Sequence, residues 1–426
     1  MPASATSFDA RDRRFSSLLA DPNLRRLWLS QVCTSAGESL IQIALPLLVY
    51  HLTESSRMVG LMALLVILPR VVFAPLTGIL ADRLDRRHLM IAANVLRLVL
   101  VCIVPFSETI WLLGVLAVLL ALGNAAGRPA ELAAVPSVAG PQRLVAALSL
   151  IQVSNGIIRI AAPAAGAAVI AVFGPAPVFW VIAVGFALSL LPLRRLVIPS
   201  ERADGSGVSL LESIRTELWS GLQAIRSVPV VRGVTASESI FQLVMAAMTV
   251  AGIVYTQETL HLEDRAEAAF ALMTTFLAAG AVIGALVANR IERRLGRPLM
   301  MAIGYFGPFF LLVAIVSPPM PVIYLAWFCF GFMDALAVIS FQAYLAEAVP
   351  ENLRGRVYAA WGAIVSLAAA LTYYLMGFVT DWLGAPLTLG LAGLVVGIGA
   401  PLSLVLTGAV RSVRSGQAPE VLARIE

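Results

Sequence analysis

The sequence contains no lysine, so the 30 positive charges of this 426-residue chain are all arginine. Charged residues of both signs make up only 13% of the chain, whereas 59% is hydrophobic and the mean hydropathy is +0.89. Soluble domains carry roughly 25% charged residues. The composition therefore excludes a soluble globular domain and indicates an integral membrane protein with many spanning segments.

Residues that carry redox, metal or hydrolytic chemistry are also scarce. Cys33, Cys102 and Cys329 lie in apolar runs and show no disulfide or metal-ligand spacing. The chain has only three histidines, all near the ends of apolar segments, and it lacks a G-x-x-x-x-G-K-[ST] loop. We therefore expect no cofactor, no metal and no ATP hydrolysis, and we do not expect an enzyme.

The arginines follow the apolar runs. A net charge of +5 and a sequence pI of 9.4 would suit a nucleic-acid partner in a soluble protein. Here the arginines collect at the ends of apolar segments, as the positive-inside rule requires of membrane proteins. We therefore expect a lipid bilayer and no nucleic acid as partner.

Twelve spanning helices are predicted, because about 20 apolar residues are needed to cross the hydrocarbon. Their approximate ranges are 25–52, 58–81, 88–107, 109–134, 144–172, 176–196, 230–257, 267–289, 298–317, 321–347, 355–380 and 386–410. With this order, the termini and even-numbered loops carry 24 arginines, and the odd-numbered loops carry only Arg57 and Arg265. Both termini are therefore predicted to be cytoplasmic.

One long connection divides these spans into two sets of six. The predicted segments are a cytoplasmic N-terminal stretch, two six-helix halves separated by a linker, and a cytoplasmic tail: 1–23, 24–198, 199–229, 230–410 and 411–426. Residues 1–23 lack an apolar core and a cleavage site, so no removable signal peptide is expected. Apolar residues recur at helical spacing from Leu211 to Ile225, which predicts either an interfacial amphipathic helix or a helical linker packed on the bundle.

Two short repeats indicate that the halves are related. The loop GILADRLDRR, Gly78 to Arg87, has a partial copy in NRIERR, Asn289 to Arg294. Within the first and seventh spans, AGESLIQ at Ala36 to Gln42 matches ASESIFQ at Ala236 to Gln242, at an offset of 200 residues. Glu38 thereby aligns with Glu238, and Gln42 with Gln242.

On these motifs the chain resembles the major facilitator superfamily, whose loop between the second and third spans follows G-x-L-x-D-R-x-G-R-[RK]. Six residues match this pattern: Gly78, Leu80, Asp82, Arg83, Arg86 and Arg87. Asp85 stands where the family usually has glycine. The resemblance covers nearly the whole chain and implies an all-α membrane fold of twelve helices in two pseudo-symmetric six-helix halves.

More narrowly, the chain is similar to the macrolide-efflux and enterobactin-exporter branch of the drug and proton antiporters. This similarity lies in RRLWLSQVCTSAGE at Arg25 to Glu38, IALPLLVYHLT at Ile43 to Thr53 and VPENLRGRV at Val349 to Val357. In the fifth span, GIIRIAAPAAGA resembles the antiporter signature ending in G-P-x-x-G-G, with alanines replacing two of its glycines.

Charged residues near the middle of spans are the candidates for function, because a charge at the bilayer centre costs roughly 2.5–3.5 kcal/mol on insertion scales. Glu38, Arg70, Arg97, Arg159 and Asp334 are placed there, with Glu238 somewhat nearer the cytoplasm. The resemblance implies that spans one and seven face a central cavity, where partial desolvation makes a carboxylate easier to protonate. Each of these charges could equally form a static ion pair between two helices.

Roles follow from these positions. We expect Glu38 to be the principal proton or cation site, with Glu238 or Asp334 as its counterpart. Arg70 and Arg159 are the expected counter-ions, or else bind an anionic group of the substrate. Gln42 and Gln242 lie one turn beyond the paired glutamates and are expected to line the substrate path.

The loop led by Gly78 has a separate expected role. The resemblance implies that Asp82 docks against the N-terminal end of the eleventh span and that Arg86 bridges to an acid closing the fourth span, for which Glu131 is the candidate. Together with Arg83, these residues would form a gate on the cytoplasmic side. Plain positive-inside topology is the alternative explanation, and we prefer it for Arg87.

The predicted function is a monomeric, proton-coupled exporter of the cytoplasmic (inner) membrane that moves a hydrophobic or amphipathic small molecule outward by alternating access. Its expected partners are that substrate, protons and the lipid bilayer. Two alternatives are a lipid or lysophospholipid flippase on the same fold, with Arg70 or Arg159 meeting a headgroup phosphate, and a membrane receptor without transport.

Overall fold

The computed structural model of the protein describes residues 15–198, 219, 222–223, 225–260, 262, 265–349 and 354–409. Within these ranges, side chains are described except at 15–17, 70, 74–83, 141, 145, 345–348 and 354–355. Most of the predicted linker helix, including Leu211, Ile214 and Leu218, falls outside the described residues.

Helices account for nearly all of the described chain, and no strand occurs among the described residues. A short helix, Phe15–Ala20, precedes the twelve helices that we label in chain order. In the first half these are α1 Pro22–Thr53, α2 Ser56–Arg83, α3 Arg86–Ile103, α4 Ile110–Gly140, α5 Gln142–Phe173 and α6 Val178–Leu193. In the second half they are α7 Pro229–Val254, α8 Ala266–Leu295, α9 Arg297–Gly304, α10 Met320–Ala348, α11 Arg354–Leu383 and α12 Ala385–Leu406.

These helices confirm the predicted fold class. Eleven described segments are long and apolar enough to cross a membrane, and α6 is a shorter apolar helix of 16 residues. The third and ninth predicted spans each end in a 3₁₀ segment, Val104–Phe106 and Gly307–Val316. Each predicted span therefore corresponds to one observed apolar segment.

Two tight connections in the second half use the same local chemistry. Gly296 separates α8 from α9, and Gly384 separates α11 from α12, with φ values of 77° and 78°. Glycine occupies this left-handed region without the steric cost that a side chain would add. Pro298 and Pro386 follow two residues later in the first turn of the next helix, where a missing N–H costs nothing.

The chain divides into two compact units that do not coincide with the two sequence halves. The first unit comprises residues 1–44, 72–162 and 176–205, and the second comprises 45–71, 163–175 and 206–426. The end of α1, the start of α2 and the end of α5 thus belong to the second unit.

In the first unit, a buried core joins the short N-terminal helix to α1, α3, α4 and α5. It includes Leu18, Leu24, Leu89, Ala130 and Leu150. Deeper along the helices, buried Asn94 on α3 donates to Thr34 of α1 at 3.1 Å and to Ser189 of α6 at 3.0 Å. Such interhelical hydrogen bonds each contribute about 1 kcal/mol in membrane proteins.

In the second unit, small residues bring helix backbones together. A Cβ placed on Gly280 of α8 would lie 2.0 Å from the carbonyl oxygen of Phe328, and one on Gly331 of α10 would lie 2.0 Å from that of Leu277. Helix α7 packs against both α11 and α12. Close helix approach through small residues is typical of membrane interiors.

Large apolar side chains cover the outside of both units. Trp111, Trp382 and Leu286 are 83%, 84% and 77% exposed, although all three are strongly apolar. In water such surfaces would drive aggregation, whereas in lipid they carry no penalty. The exposed surface therefore fits a bilayer.

Candidate functional site

Helix α1 carries Glu38 into an ion pair with α3. Arg97 Nη1 donates to Glu38 Oε1 at 3.0 Å. The Arg97 side chain is 2% exposed and the Glu38 side chain is 21% exposed, so the cation is buried while the acid remains partly accessible. Where no second acid can take over the cation, breaking such a pair leaves an uncompensated buried charge, which costs several kcal/mol.

Glycines on α4 leave the space that the Arg97 side chain fills. A Cβ on Gly127 would stand 2.5 Å from Arg97 Nη2, and one on Gly123 would stand 3.3 Å from its Cγ. Arg97 Nη2 donates to the carbonyl oxygen of Gly123 at 3.0 Å. The guanidinium also lies over the ring of Phe186, 5.7 Å from its centroid.

Glu131 continues the same face of α4. It follows Gly127 by four residues, and therefore by one helical turn. Its side chain is only 5% exposed, and its carboxylate lies 3.8 Å from Nη1 of Arg128. The charges of Glu38, Arg97 and Arg128 all act on Glu131. The predicted proton acid on α1 and the predicted gating acid on α4 thus belong to one electrostatic group.

The equivalent position in the second unit has different partners. Glu238 on α7 accepts a hydrogen bond from Gln242 Nε2 at 3.2 Å. The adjacent Ser237 donates to the hydroxyl of Tyr305 at 2.6 Å. The charges of Glu238 and Asp334 both act on the buried phenol of Tyr305.

The two repeats therefore surround their aligned glutamates with different chemistry. Tyr305 follows Arg97 by 208 residues, close to the offset of 207 between the loop motifs. It occupies about the place in the second repeat that Arg97 holds in the first. Glu38 thus has a guanidinium as its partner, whereas the described contacts of Glu238 are to neutral groups.

Among the described side chains, the partner of Glu38 is Arg97 and not the predicted counter-ion Arg159. Arg159 is exposed on α5, with no hydrogen bond or ion pair to the described residues. Nothing is described of the Arg70 side chain. Sequence reasoning placed Arg97 among the mid-span charges without making it a counter-ion. The spacing of Gly123, Gly127 and Glu131 at four-residue intervals was the available signal, because it marks one helix face with room for a large side chain.

Of the two glutamines predicted to line the substrate path, only one has the predicted surroundings. Gln242 lies on the Glu238 face, as the spacing predicts. Gln42 is exposed on α1, with no hydrogen bond to the described residues.

The loop after α2 is described only in part. The side chains of Asp82 and Arg83 and the surroundings of Gly78 are not described, so the predicted docking of Asp82 stays a prediction. Arg86 donates to the Ala133 carbonyl at 3.1 Å and to Ser137 Oγ at 2.7 Å, both on α4. The structure therefore brings Arg86 to the predicted helix but does not join it to Glu131.

Two neighbours in this loop have local structural roles. Asp85 caps α3 by accepting a hydrogen bond from the backbone N–H of His88 at 3.0 Å, which lowers the pKa of Asp85 below its usual value. Arg87 donates to the carbonyl oxygens of Leu193 and Arg194 at the end of α6. A cation at a helix C-terminus is favourable, which gives Arg87 a role beyond topology.

At the other end of the helices, the second unit contains a polar cluster that we name the far-end cluster. It consists of Tyr50 with Glu258, His51 with Glu267, and Ser56 and Arg57 with Asp381. Ser56 also donates to the Gly377 carbonyl at 2.7 Å. These contacts hold the α1–α2 turn against the ends of α7, α8 and α11.

Twelve apolar segments that hold an ion pair and further charged side chains in their interior define a class of protein, the multi-pass α-helical membrane transporter. Within that class the chain belongs to the Major Facilitator Superfamily, whose family model matches residues 27–357 and 266–424. This confirms the resemblance drawn from the loop motif. It also confirms that the protein is a transporter and not an enzyme.

Two relatives are similar along most of their length. The enterobactin exporter EntS of Salmonella typhimurium is 26% identical over 398 residues, covering 90% of this chain and 91% of the relative. The multidrug efflux pump Tap of Mycolicibacterium fortuitum is 26% identical over 380 residues, covering 85% and 91%. The predicted exporter branch is therefore the one in which relatives are found.

Solved structures support the fold. A POT family transporter in complex with 5-aminolevulinic acid superposes with a TM-score of 0.69 at 12% identity, covering 96% of this chain and 98% of that one. A bacterial homologue of the iron transporter ferroportin in the inward-facing state gives 0.66 at 15% identity, covering 89% and 98%. At these identities the likeness concerns the fold alone.

Proposed function

We propose that the protein is a secondary active exporter that exchanges protons for a hydrophobic or amphipathic small molecule. The observation that carries this proposal is the pair of aligned interior glutamates, Glu38 and Glu238, in different electrostatic surroundings. A transporter that couples to protons needs carboxylates that can be both charged and neutral within the membrane. The EntS and Tap relatives, an enterobactin exporter and a multidrug efflux pump, support outward transport.

The two glutamates are assigned different tasks. Glu238 has neutral described partners, so it loses no ion pair when it takes up a proton. Glu38 gives up its interaction with Arg97 when it is protonated, and this links proton binding to a structural contact. We assign Asp334 to act together with Glu238, because the charges of both acids act on Tyr305. We assign both termini to the cytoplasm on the arginine distribution. The bacterial exporter relatives support an inner-membrane location, and we propose a monomer.

Proton flux in proteoliposomes tests the proposal. The purified full chain is reconstituted with an internal pH dye and exposed to ethidium, erythromycin, enterobactin or lysophosphatidylcholine. We expect at least one of the first three to move protons opposite to itself, and Glu238→Gln to reduce that exchange at least about tenfold, or about 1.4 kcal/mol. Glu108→Gln, an exposed carboxylate between α3 and α4, is the matched control. Accumulation of ethidium, erythromycin or enterobactin without any response to a pH gradient would contradict proton coupling.

A lipid flippase is the second candidate, and exposed Arg159 on α5 favours it. A guanidinium without a described partner could meet a headgroup phosphate at this position. In the same assay, movement of lysophosphatidylcholine alone, abolished by Arg159→Gln, would identify this function. Movement of the amphipathic drugs that survives Arg159→Gln would reject it.

A further inference from the structure

The charge of one buried guanidinium acts on two acids from different helices in the first unit. Arg97 on α3 pairs with Glu38 on α1, and its charge also acts on Glu131 of α4. Arg128, the remaining charge in the group, is 48% exposed and lies 3.8 Å from Glu131. Two cations and two carboxylates thus balance while both acids are ionised.

The hydrogen bonds of Arg97 leave capacity on the α4 side. A guanidinium carries five N–H donors. Nη1 donates to Glu38 and Nη2 donates to the Gly123 carbonyl, whereas the buried Nε has no hydrogen-bond partner among the described residues. A neutral carbonyl is a weaker partner for a cation than a carboxylate. The side chain is therefore only partly satisfied in its present position.

The contact of Glu131 with Arg128 is not a direct hydrogen bond. The Glu131 side chain is 5% exposed, and the Arg128 nitrogen at 3.8 Å is beyond direct hydrogen-bond distance. Arg97 Nη2 touches the position of a Gly127 Cβ, one helical turn from Glu131 along the same face of α4. A rotamer change of Arg97 along this glycine face leads its guanidinium towards Glu131.

We propose that Arg97 is a positioning residue shared between Glu38 and Glu131. When a proton binds the Glu38 carboxylate, Arg97 loses its counter-charge and moves towards Glu131, whose ionised form it then stabilises. Protonation on α1 is thereby transmitted to the end of α4 where Arg86 docks. The transport role of this transfer rests on the proposed proton coupling, whereas the sharing itself does not.

A mutant cycle of thermal unfolding in detergent, without any substrate, tests the sharing. Gln is isosteric with Glu and neutral, so Glu38→Gln imitates the protonated acid. We expect each of Glu38→Gln and Glu131→Gln to lower the Tm slightly, because the other acid still serves Arg97. The double variant should fall by much more than the sum, because the buried cation then has no carboxylate.

Arg97→Gln in the double-variant background supplies the decisive control. Removing the stranded cation should raise the Tm of the Glu38→Gln, Glu131→Gln protein, although the same change lowers the Tm of the wild-type chain. Additive losses, a Glu38→Gln protein that does not fold, or no rescue by Arg97→Gln would each overturn the proposal. A double variant that fails to fold while both single variants fold supports it.

The pH profile of ethidium exchange in proteoliposomes then separates this inference from the proposed function. With sharing, Glu131→Gln holds Arg97 on Glu38 and moves the midpoint of the profile to lower pH by about one unit, a tenfold change in proton affinity. A non-additive cycle without any pH-driven transport would retain the sharing and reject proton coupling. Proton-coupled transport with an additive cycle would reject the sharing alone.

Discussion

Asp21 stabilises the start of α1 through its two carboxylate oxygens. Oδ1 accepts hydrogen bonds from the backbone N–H groups of Asn23 at 2.9 Å and Leu24 at 3.3 Å, and Oδ2 accepts one from Arg143 Nη2 at 3.0 Å. Desolvation by itself would raise the pKa of Asp21. The hydrogen bonds and the charge of Arg143 outweigh it, so that the pKa lies below its usual value.

Replacing Asp21 should therefore cost stability in a pH-dependent way. Asp21→Ala removes both the cap and the ion pair, and we expect a loss of about 1 kcal/mol at neutral pH. Because the folded-state pKa is lowered, the ionised group stabilises above its unfolded pKa, and this contribution is lost as the pH falls through the folded value. Thermal unfolding in detergent across pH should show wild type and Asp21→Ala approaching each other in acid.

Asp21→Asn is the matched variant, because its amide oxygen can still cap the helix while its charge is gone. Its Tm should lie between those of wild type and Asp21→Ala at neutral pH. A difference between wild type and Asp21→Ala that stays constant down to acid pH would contradict the assigned ionic contribution.

Single residues also show where sequence reasoning ends. Hydropathy and the repeat identify Glu38 and Glu238 as interior acids, and the spacing rule correctly puts Gln242 beside Glu238. The sequence favours Arg70 and Arg159 as partners of Glu38, whereas the described partner is Arg97. The choice depends on how each helix is rotated about its axis. The apolar composition of these spans leaves that rotation nearly unmarked in the sequence.

At the scale of elements, the α8–α10 contact depends on the absence of side chains. Gly331→Ala would place a methyl group 2.0 Å from the Leu277 carbonyl oxygen, so the two backbones must separate. We expect this overpacking to cost about 1–3 kcal/mol, seen as a lower Tm in detergent. Gly362→Ala on α11 is the control, because nothing lies within 4 Å of its Cβ position and alanine favours a helix by about 1 kcal/mol. Equal effects of the two variants would contradict the contact.

The helices themselves were largely predictable, because lipid imposes both their length and their apolar composition. Their irregular ends were not. The fourth span is predicted to end near residue 134, whereas α4 continues to Gly140, because Val135, Val138 and Ala139 near its end pack in the buried core of the first unit. The turn at Tyr255–Thr259 is a π-helix and the end of the ninth span is 3₁₀, and neither follows from hydropathy.

For the whole molecule, the two compact units do not coincide with the two halves that the sequence repeats predict. The repeats predict halves separated near residue 199, whereas the compact units divide α1 after Ala44, α2 after Val71 and α5 after Ala162. Prolines lie within two residues of each division, at Pro46, Pro69 and Pro163. Because proline removes a helical hydrogen bond, these helices can bend where they pass from one unit to the other. The internal repeats reflect a duplication of the sequence, whereas the compact units reflect which residues contact each other in this structure.

The far-end cluster is the set of closed contacts that alternating access would have to open. Within the second unit, Gly60 and Gly377 allow α2 to meet α11 closely, since a Cβ on Gly60 would stand 2.5 Å from the Tyr373 carbonyl oxygen. Arg57 pairs with Asp381 beside this crossing, with side chains 54% and 30% exposed. A pair this exposed contributes at most about 1 kcal/mol, which still changes a two-state population about fivefold.

We therefore expect Asp381→Asn to increase the fraction of molecules that are open at this end. Spin labels placed at Leu52 and Trp382, both exposed in the second unit, would report the separation of the α1 end from the α11 end. In a background without Cys33, Cys102 and Cys329, pulsed electron paramagnetic resonance should show a longer-distance population that grows severalfold in Asp381→Asn. Glu108→Gln is the control, because it removes an exposed carboxylate outside this cluster. Glu108→Gln should leave the distance distribution unchanged. If Asp381→Asn leaves it unchanged as well, the Arg57–Asp381 pair does not hold this end closed.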